Sequence, residues 1–390
     1  MEFKHRDDEI IDKPIERMVF IAAEQYKELA CGPVYGKYFK DTGVYNIFPD
    51  TLKEDGEYLG EVIDNTDIIP ENKFVGIKRE NTIDFYYDRK LLQVELHYLY
   101  LDIFSRNKGI LETGIMQDKG AVILGCGSVG SLVAMELAKS GIGSLFLIDP
   151  DMMEYHNICR HQCGIDDVGD LKVNALKRKL LRINPSIRVR CSSTIVENTS
   201  QRELEEFCRN NKVNVFVGCA DNRIADVYGN QISIYFKSPY ISIGFWERAF
   251  AGEIFYHIPN KNMPCYYCAL GDGGDISARS IANHHVYSME ENVESIKFEP
   301  GISVDIDFIT AIGIKLIIDL LNFNESGYIP RLLNDLKQYT IICNTNNPEI
   351  AGEMVEIFSY PLQISTSLEV QFNPCCKGIC KYELEQMENK

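Results

Sequence analysis

Between Ala121 and Asp149 the chain carries the pattern that most narrows the folds open to it. An apolar run, Ala121 to Leu124, reads as a buried strand. Gly125, Gly127 and Gly130 follow at the spacing G-x-G-x-x-G. Val129, Leu132, Val133, Met135, Leu137 and Ala138 then suit a helix packed on a sheet, and Leu145 to Ile148 form a second apolar run ending at Asp149. Strand, glycine turn, helix and strand in that order predict the βαβ unit of an α/β nucleotide-binding fold. The first glycine permits the tight turn, the second lets a phosphate approach the backbone and the third lets helix pack on strand, while Asp149 can accept a ribose hydroxyl. The N-terminus of the helix then meets the anion.

A glycine fingerprint of this kind serves nicotinamide and flavin dehydrogenases equally well, and the residues after it argue for other chemistry. Asp149, Asp151, Asn157, Arg160 and Lys172 crowd polar and cationic groups just past the second strand, where a dehydrogenase needs only its ribose carboxylate. Two cations and an amide can neutralise charge moving on phosphates, which suits phosphoryl or adenylyl transfer. The bland alternative for the set is a solvated loop with ordinary surface charges.

At these residues the sequence resembles the ubiquitin-activating-like superfamily, the ThiF/MoeB/HesA proteins. There the strand-glycine-helix-strand unit ends in D-x-D, then N-x-x-R and, after a V-G dipeptide, a Lys. Here the elements stand as Asp149-Pro150-Asp151, Asn157-Ile158-Cys159-Arg160 and Val168-Gly169-Asp170-Leu171-Lys172. The resemblance spans roughly residues 84 to 385. It implies that ATP is used to make an acyl adenylate on a carboxylate, with Arg160 and Lys172 acting on the triphosphate.

Composition sets the outer limits. A chain of 390 residues holds a main core and a smaller domain. No apolar run reaches the roughly 18 residues of a membrane span, and the segment MEFKHRDDEIIDKP lacks an apolar signal core, so a cytoplasmic location is expected. A formal charge of −17 argues against a nucleic-acid partner, which needs a basic face. Thirteen cysteines spread through the chain are expected as thiols or metal ligands rather than a disulfide framework. Cys126, Cys219 and Cys343 lie in apolar or turn contexts and are expected to be buried or inert. The expected architecture is a Rossmann-like open sheet of the ubiquitin-activating-like fold over residues 81–390, preceded by a small α+β domain over residues 1–80.

That first domain is punctuated by turn signals at Cys31-Gly32-Pro33, Asp41-Thr42-Gly43, Phe48-Pro49-Asp50 and Ile69-Pro70, and Arg17 to Gln25 and Tyr58 to Ile63 suit either helix or strand. In the microcin C-type adenylyltransferases, peptide-modifying relatives, a domain so placed clamps the substrate peptide; a domain used only for dimerisation or packing fits as well. Asp84 to Asn107 shows helical spacing at Leu91, Leu92, Val94, Leu96, Leu99, Leu101 and Phe104. It resembles the family's leading helix, opened by a Tyr-x-Arg-Gln type motif that stands here as Tyr87-Asp88-Arg89-Lys90. The resemblance implies a homodimer in which Arg89 reaches the partner's ATP phosphates; a surface arginine at a helix start is the alternative.

A helix is expected over Val173 to Ile183, a strand through Ile187 to Cys191, a helix over Arg202 to Asn210 and a parallel strand from Val213 to Gly218. The strand ends at Cys219-Ala220-Asp221-Asn222-Arg223. A carboxylate there lies at the ligand edge of an open α/β sheet and can hold Mg²⁺ on phosphate oxygens; the family's strand-end Asp-Asn implies that role for Asp221, with a turn cap as the alternative. Strands are expected at Tyr240 to Gly244 and Gly252 to His257.

Cys265-Tyr266-Tyr267-Cys268 is a redox pair or half of a zinc site. With the tail Asn373-Pro374-Cys375-Cys376-Lys377-Gly378-Ile379-Cys380 it could close a tetrahedral Zn²⁺ site, as the family often does. Cys265, Cys268, Cys376 and Cys380 are the expected ligands. The tail has one residue more than the family's Cys-x-x-Cys, so Cys375 could replace Cys376, and unligated thiols remain the alternative. Before the expected helix Asp305 to Asn322, the segment from Ala269 to Val304 contains no cysteine. In sulfur-carrier and ubiquitin-type members this crossover holds the thiol that takes the acyl group, shortly before a turn matched here by Glu299-Pro300-Gly301; Lys297 stands near its place. A thioester needs a thiolate. Three readings follow: an adenylyltransferase acting on a peptide or peptide-like carboxylate, an activating enzyme for a ubiquitin-like or sulfur-carrier protein, and a non-catalytic nucleotide-binding member of the fold.

Overall fold

A computed structural model describes residues 16–64, 68–80, 82–270, 300–373 and 376, and the chain divides between Ser105 and Arg106 into two units. The first is built on a mixed sheet of β1 (Met18–Ala22), β2 (Gly32–Phe39), β3 (Val44–Ile47), β4 (Glu57–Ile63), β5 (Phe74–Lys78), β6 (Ile83–Tyr87), β7 (Lys90–Leu91) and β8 (Gln93–His97), in the order β7-β6-β5-β4-β2-β3-β1-β8. Among its described residues only α1 (Ala23–Glu28) and α2 (Leu99–Ile103) are α-helical. The expected turn at Asp41-Thr42-Gly43 joins β2 to β3, with Gly43 at φ +73°. Val19, Ile21, Tyr45, Phe74 and Phe85 fill its core.

Of the helix expected over Asp84 to Asn107, the part from Leu99 to Ile103 is helical, as α2, and the part before it is not. β6 turns at Asp88 and Arg89, both at positive φ (50° and 64°), directly into β7. Two consecutive residues of that kind make a type I′ hairpin turn. β8 then pairs in parallel with β1, Met18 opposite Gln93. Leu92, Val94 and Leu96 satisfy a period of two as well as a helical one, and pairing with a strand some seventy residues earlier decides between them. The first unit therefore runs past residue 80, because β6 to β8 are strands of its sheet.

The second unit opens with α3 (Thr113–Gln117) and then alternates: β9 (Gly120–Leu124), α4 (Ser128–Lys139), β10 (Ser144–Ile148), α5 (Lys172–Ile183), β11 (Arg188–Ser192), α6 (Gln201–Asn211), β12 (Val213–Gly218), α7 (Arg223–Tyr235) and β13 (Tyr240–Phe245). β14 (Ala251–His257), α8 (Tyr266–Ala269), α9 (Ser303–Asn322), β15 (Tyr339–Cys343), α10 (Pro348–Ala351) and β16 (Ile364–Leu368) follow. The sheet runs β11-β10-β9-β12-β13-β14-β15-β16, parallel through β13 and antiparallel from there on. Helices α4, α5 and α9 cover one face and α6 and α7 the other. Every residue of β9 and β10 is buried, which is why both read as unbroken apolar runs. Each fully buried Ile, Leu or Phe of these strands contributes roughly 1.5–3 kcal/mol.

The parallel strands take the chain order third, second, first, fourth, fifth, so the connections diverge between β9 and β12. In an open α/β sheet that divergence leaves a crevice at the carboxyl ends of the strands, where ligands bind.

Candidate active site

The glycine turn lies at the carboxyl end of β9, on this crevice. Gly125 sits at φ +96°, and a Cβ there would come within 2.8 Å of the Ala220 nitrogen, so conformation and crowding both require glycine. A Cβ on Gly130 would lie 1.9 Å from the Gly125 oxygen, which shows how closely α4 backs onto the turn. Over Gly127 a Cβ would meet nothing within 4 Å. The free space belongs to a cavity of about 850 Å³.

A chain of hydrogen bonds runs along one side of the cavity. Lys172, the first residue of α5, donates from Nζ to Asp151 Oδ2 (2.7 Å), and its N–H donates to the Asp151 carbonyl (2.9 Å). Asp149 accepts the Asp151 N–H on Oδ1 (2.9 Å) and the Cys126 N–H on Oδ2 (2.7 Å). Burial pushes the Asp149 carboxyl pKa up, while Lys172 and the two N–H groups act against that shift. Asn157 closes a capping box with Glu154, accepting its N–H on Oδ1 (2.9 Å), and Arg160 follows half-buried on the cavity wall. Arg178 bridges Asp167 (3.1 Å) and Asp170, tying down the segment that leads into Lys172.

Across the crevice Asp221 stands exposed after β12. Asn222, not Asp221, caps α7, its Oδ1 accepting the Ala225 N–H at 2.8 Å. Beyond it, the carboxyl end of β13 brings Phe245 and Trp246 to the cavity. Trp246 Nε1 donates to the buried Glu253 Oε2 (3.0 Å), which also accepts the Tyr339 hydroxyl (2.6 Å). The turn that follows places Arg248 and Ala249 at φ +52° and +54°. Asn344 holds it there, donating from Nδ2 to the carbonyls of Ala249 (2.7 Å) and Asp305 (3.0 Å). Strained backbone of this kind persists where its surroundings over-determine it.

Eight of the residues singled out by sequence thus border one cavity: Gly125, Gly127, Asp149, Asp151, Asn157, Arg160, Lys172 and Asp221. Gly130 supports the turn from behind. Arg89 belongs to the first unit, on the β6–β7 turn, where Nη1 pairs with Glu71 Oε1 at 2.8 Å and both side chains are exposed. His161, Phe245 and Trp246 were not anticipated. His161 follows Arg160 directly, and the two aromatics end a parallel strand next to the crevice, so adjacency and strand-end position were the available signals.

The thiols of Cys265, Cys268 and Cys376 form a separate buried cluster in which the sulfurs lie within 4.8 Å of one another. Cys265 Sγ is 3.9 Å from Cys268 Sγ and 3.6 Å from Cys376 Sγ, and Asn373 N–H donates to Cys268 Sγ (3.5 Å). Zn–S bonds of about 2.3 Å at tetrahedral angles separate two sulfurs by about 3.8 Å, so the cluster could hold a metal ion. Cys375, Cys380 and the crossover residues 271–299, Lys297 among them, lie outside the described residues.

A glycine turn, the buried carboxylate of Asp149 and the cations Arg160 and Lys172 at the crevice of a parallel sheet are the features of a nucleotide-binding protein of the doubly wound α/β class. Residues 115–363, well over half of the chain, match the ThiF family model, and the chain belongs to the ThiF family. Ubiquitin-like modifier-activating enzyme 5 of Caenorhabditis briggsae is 26% identical over 261 residues, 62% of this chain and 57% of that protein. The protein of the same name from Oryza sativa subsp. japonica is 30% identical over 182 residues, 43% of this chain and 42% of its own. The chain spans about half the length of these curated relatives. Among solved structures, E. coli MccB with MccA-N7isoASN superposes with a TM-score of 0.48 at 22% identity, covering 68% of each chain.

Proposed function

We propose that the chain is an ATP-dependent adenylyltransferase that activates a carboxylate of a ribosomal peptide or peptide-like substrate without an obligatory enzyme thioester. The observation that carries the adenylyl chemistry is the convergence of the glycine turn, Asp149, Arg160, Lys172 and Asp221 on one cavity at the divergence of the parallel strands. ATP lies over Gly125 to Gly130 with its ribose on Asp149. Arg160 and Lys172 neutralise the triphosphate, and Asn157 steadies the arm that carries Arg160. A substrate carboxylate oxygen attacks the α-phosphorus, the bond to the β-phosphate breaks, and pyrophosphate leaves with its electron pair. Alignment and charge neutralisation supply most of the catalysis. Asp221, left free of capping duty, would hold Mg²⁺, which would supply further charge neutralisation. Cys265, Cys268 and Cys376 would hold a structural Zn²⁺ with a fourth ligand from the tail. Arg89 has no part in this reading, because the helix on which its reach in trans depended is a hairpin.

The peptide substrate and the missing thioester rest on the sequence, in which no cysteine stands between Ala269 and Val304. The names of the curated relatives favour a second reading, activation of a ubiquitin-like protein. Exchange of labelled pyrophosphate into ATP, measured with candidate peptides and small ubiquitin-like proteins, tests both. Exchange dependent on a peptide supports the first reading, exchange dependent only on a ubiquitin-like protein moves the assignment to the second, and no exchange with either class argues against adenylation.

A further inference from the structure

Cys126, the middle residue of the glycine turn, is held from both sides. Its N–H donates to Asp149 Oδ2 (2.7 Å), and its carbonyl oxygen lies 2.8 Å from His161 Nε2. A carbonyl only accepts, so Nε2 must carry the proton. The other ring nitrogen, Nδ1, accepts the Cys163 N–H at 3.0 Å and so must be bare. The two partners together dictate one neutral tautomer. Burial agrees with this: His161 is 7% exposed, and loss of solvent pushes its pKa down, with Lys172 and Lys179 adding to the shift and the hydrogen bond to the Cys126 carbonyl and Asp167 opposing it. The arm around His161 is fastened again one residue on, where Gln162 N–H donates to Ser131 Oγ in the first turn of α4 (3.3 Å).

The Cys126 carbonyl and the Gly127 N–H belong to one peptide unit, and that unit is trans. In a trans unit the two groups face opposite ways. Drawing the carbonyl onto the imidazole therefore turns the Gly127 N–H to the other side, at the glycine where open space begins. Among the described residues no protein acceptor meets that N–H.

We propose that His161 is a positioning residue for the nucleotide: by holding the Cys126 carbonyl it fixes the Cys126–Gly127 peptide with its N–H presented to a phosphate of ATP, and couples the Arg160 arm to the glycine turn. The inference rests on the reading of this cavity as an ATP site. An oriented backbone N–H costs no reorganisation when the anion arrives, which is where the advantage of a fixed peptide lies.

Two conservative variants separate the two ends of the ring. His161→Gln places an amide N–H near the position of Nε2 and keeps the bond to Cys126, whereas His161→Asn places an amide oxygen near Nδ1 and keeps only the bond to Cys163. The expected result is that KM for ATP in pyrophosphate exchange stays within about threefold of the wild type for Gln and rises about tenfold for Asn, the size of one lost buried hydrogen bond. Both variants should melt at similar temperatures, since each loses one bond of the same kind. Equal KM values for the two, or a larger rise for Gln, would overturn the inference, because a merely structural histidine does not tell its two nitrogens apart in KM. A second measurement uses the unaltered full chain: amide hydrogen exchange at residues 126–128 should slow when ATP and Mg²⁺ are added. Bound ATP with unchanged exchange there overturns the role of the Gly127 N–H, whereas failure of the wild type to bind ATP at all overturns the reading of the cavity and this inference with it.

Discussion

Asp221 and Asn222 are neighbours with separate duties. Asn222 spends its carboxamide oxygen on the Ala225 N–H and starts α7, while Asp221 remains exposed at the end of β12 on the same cavity as Arg160 and Lys172. A capping role for Asp221 would make Asp221→Asn a mild change in stability. A magnesium-holding role makes the same substitution chemical, since it removes the charge and keeps the shape. The expected outcome is a loss of pyrophosphate exchange of about 100-fold or more with an unchanged melting temperature; normal exchange in the variant would sink the metal assignment. At this scale, what could be read in the sequence was what is local. Gly125 needs its positive φ and Gly130 its bare Cα for reasons confined to one turn and one helix. His161 escaped because its meaning depends on the carbonyl of Cys126, 35 residues earlier, and nothing in an Arg-His-Gln triplet announces that contact.

At the scale of elements the alternating half of the chain was legible for the same reason in reverse: β9 and β10 are buried on both faces and show unbroken apolar runs, and α5 shows its apolar stripe from Val173 to Leu180. The segment after Asp84 was not, since Leu92, Val94 and Leu96 fit two periods and the deciding partner, β1, lies far off in sequence. The cysteine cluster is intermediate. Cys265 precedes the single turn of α8 and Cys268 lies within it, and Cys376 comes from a tail 111 residues from Cys265, so the pairing is visible only as spacing in the sequence and as sulfur–sulfur distances in the fold. A helix of four residues has little stability of its own. Ligation would supply it, and purified protein should contain about one zinc per chain. A chelator should then lower the melting temperature by about 2–4 °C for each kcal/mol of ligation lost. Metal-free protein with an unchanged melting curve and freely titrating thiols at Cys265, Cys268 and Cys376 would count against the site.

At the scale of the whole molecule, the distribution of thiols bears on whether the activated acyl group passes through the enzyme. A thioester requires a sulfur that ionises near neutral pH and can be reached. Burial pushes the thiols of Cys163 and Cys208 up to about 12 and that of Cys191 to about 11, and it raises Cys126 and Cys343 as well. Among the described residues the exposed cysteines are Cys31 in the first unit and Cys159 in the second, where Cys159 Sγ donates to the His156 carbonyl (3.4 Å) beside Arg160. The sequence from Ala269 to Val304 offers no other. Cys159 is thus the exposed thiol of the second unit among the described residues, and it gives the thioester question a defined test. With ATP and a substrate that supports pyrophosphate exchange, the chain should release AMP and form no conjugate that hydroxylamine or a thiol reductant cleaves. Replacing Cys31 and Cys159 together with serine should leave AMP release within about twofold of the wild type, as expected of exposed side chains that do not carry the acyl group. A reductant-sensitive conjugate that disappears in Cys159→Ser would show that the acyl group does pass to sulfur, and the assignment would then move from direct transfer on a peptide carboxylate to activation of a ubiquitin-like protein.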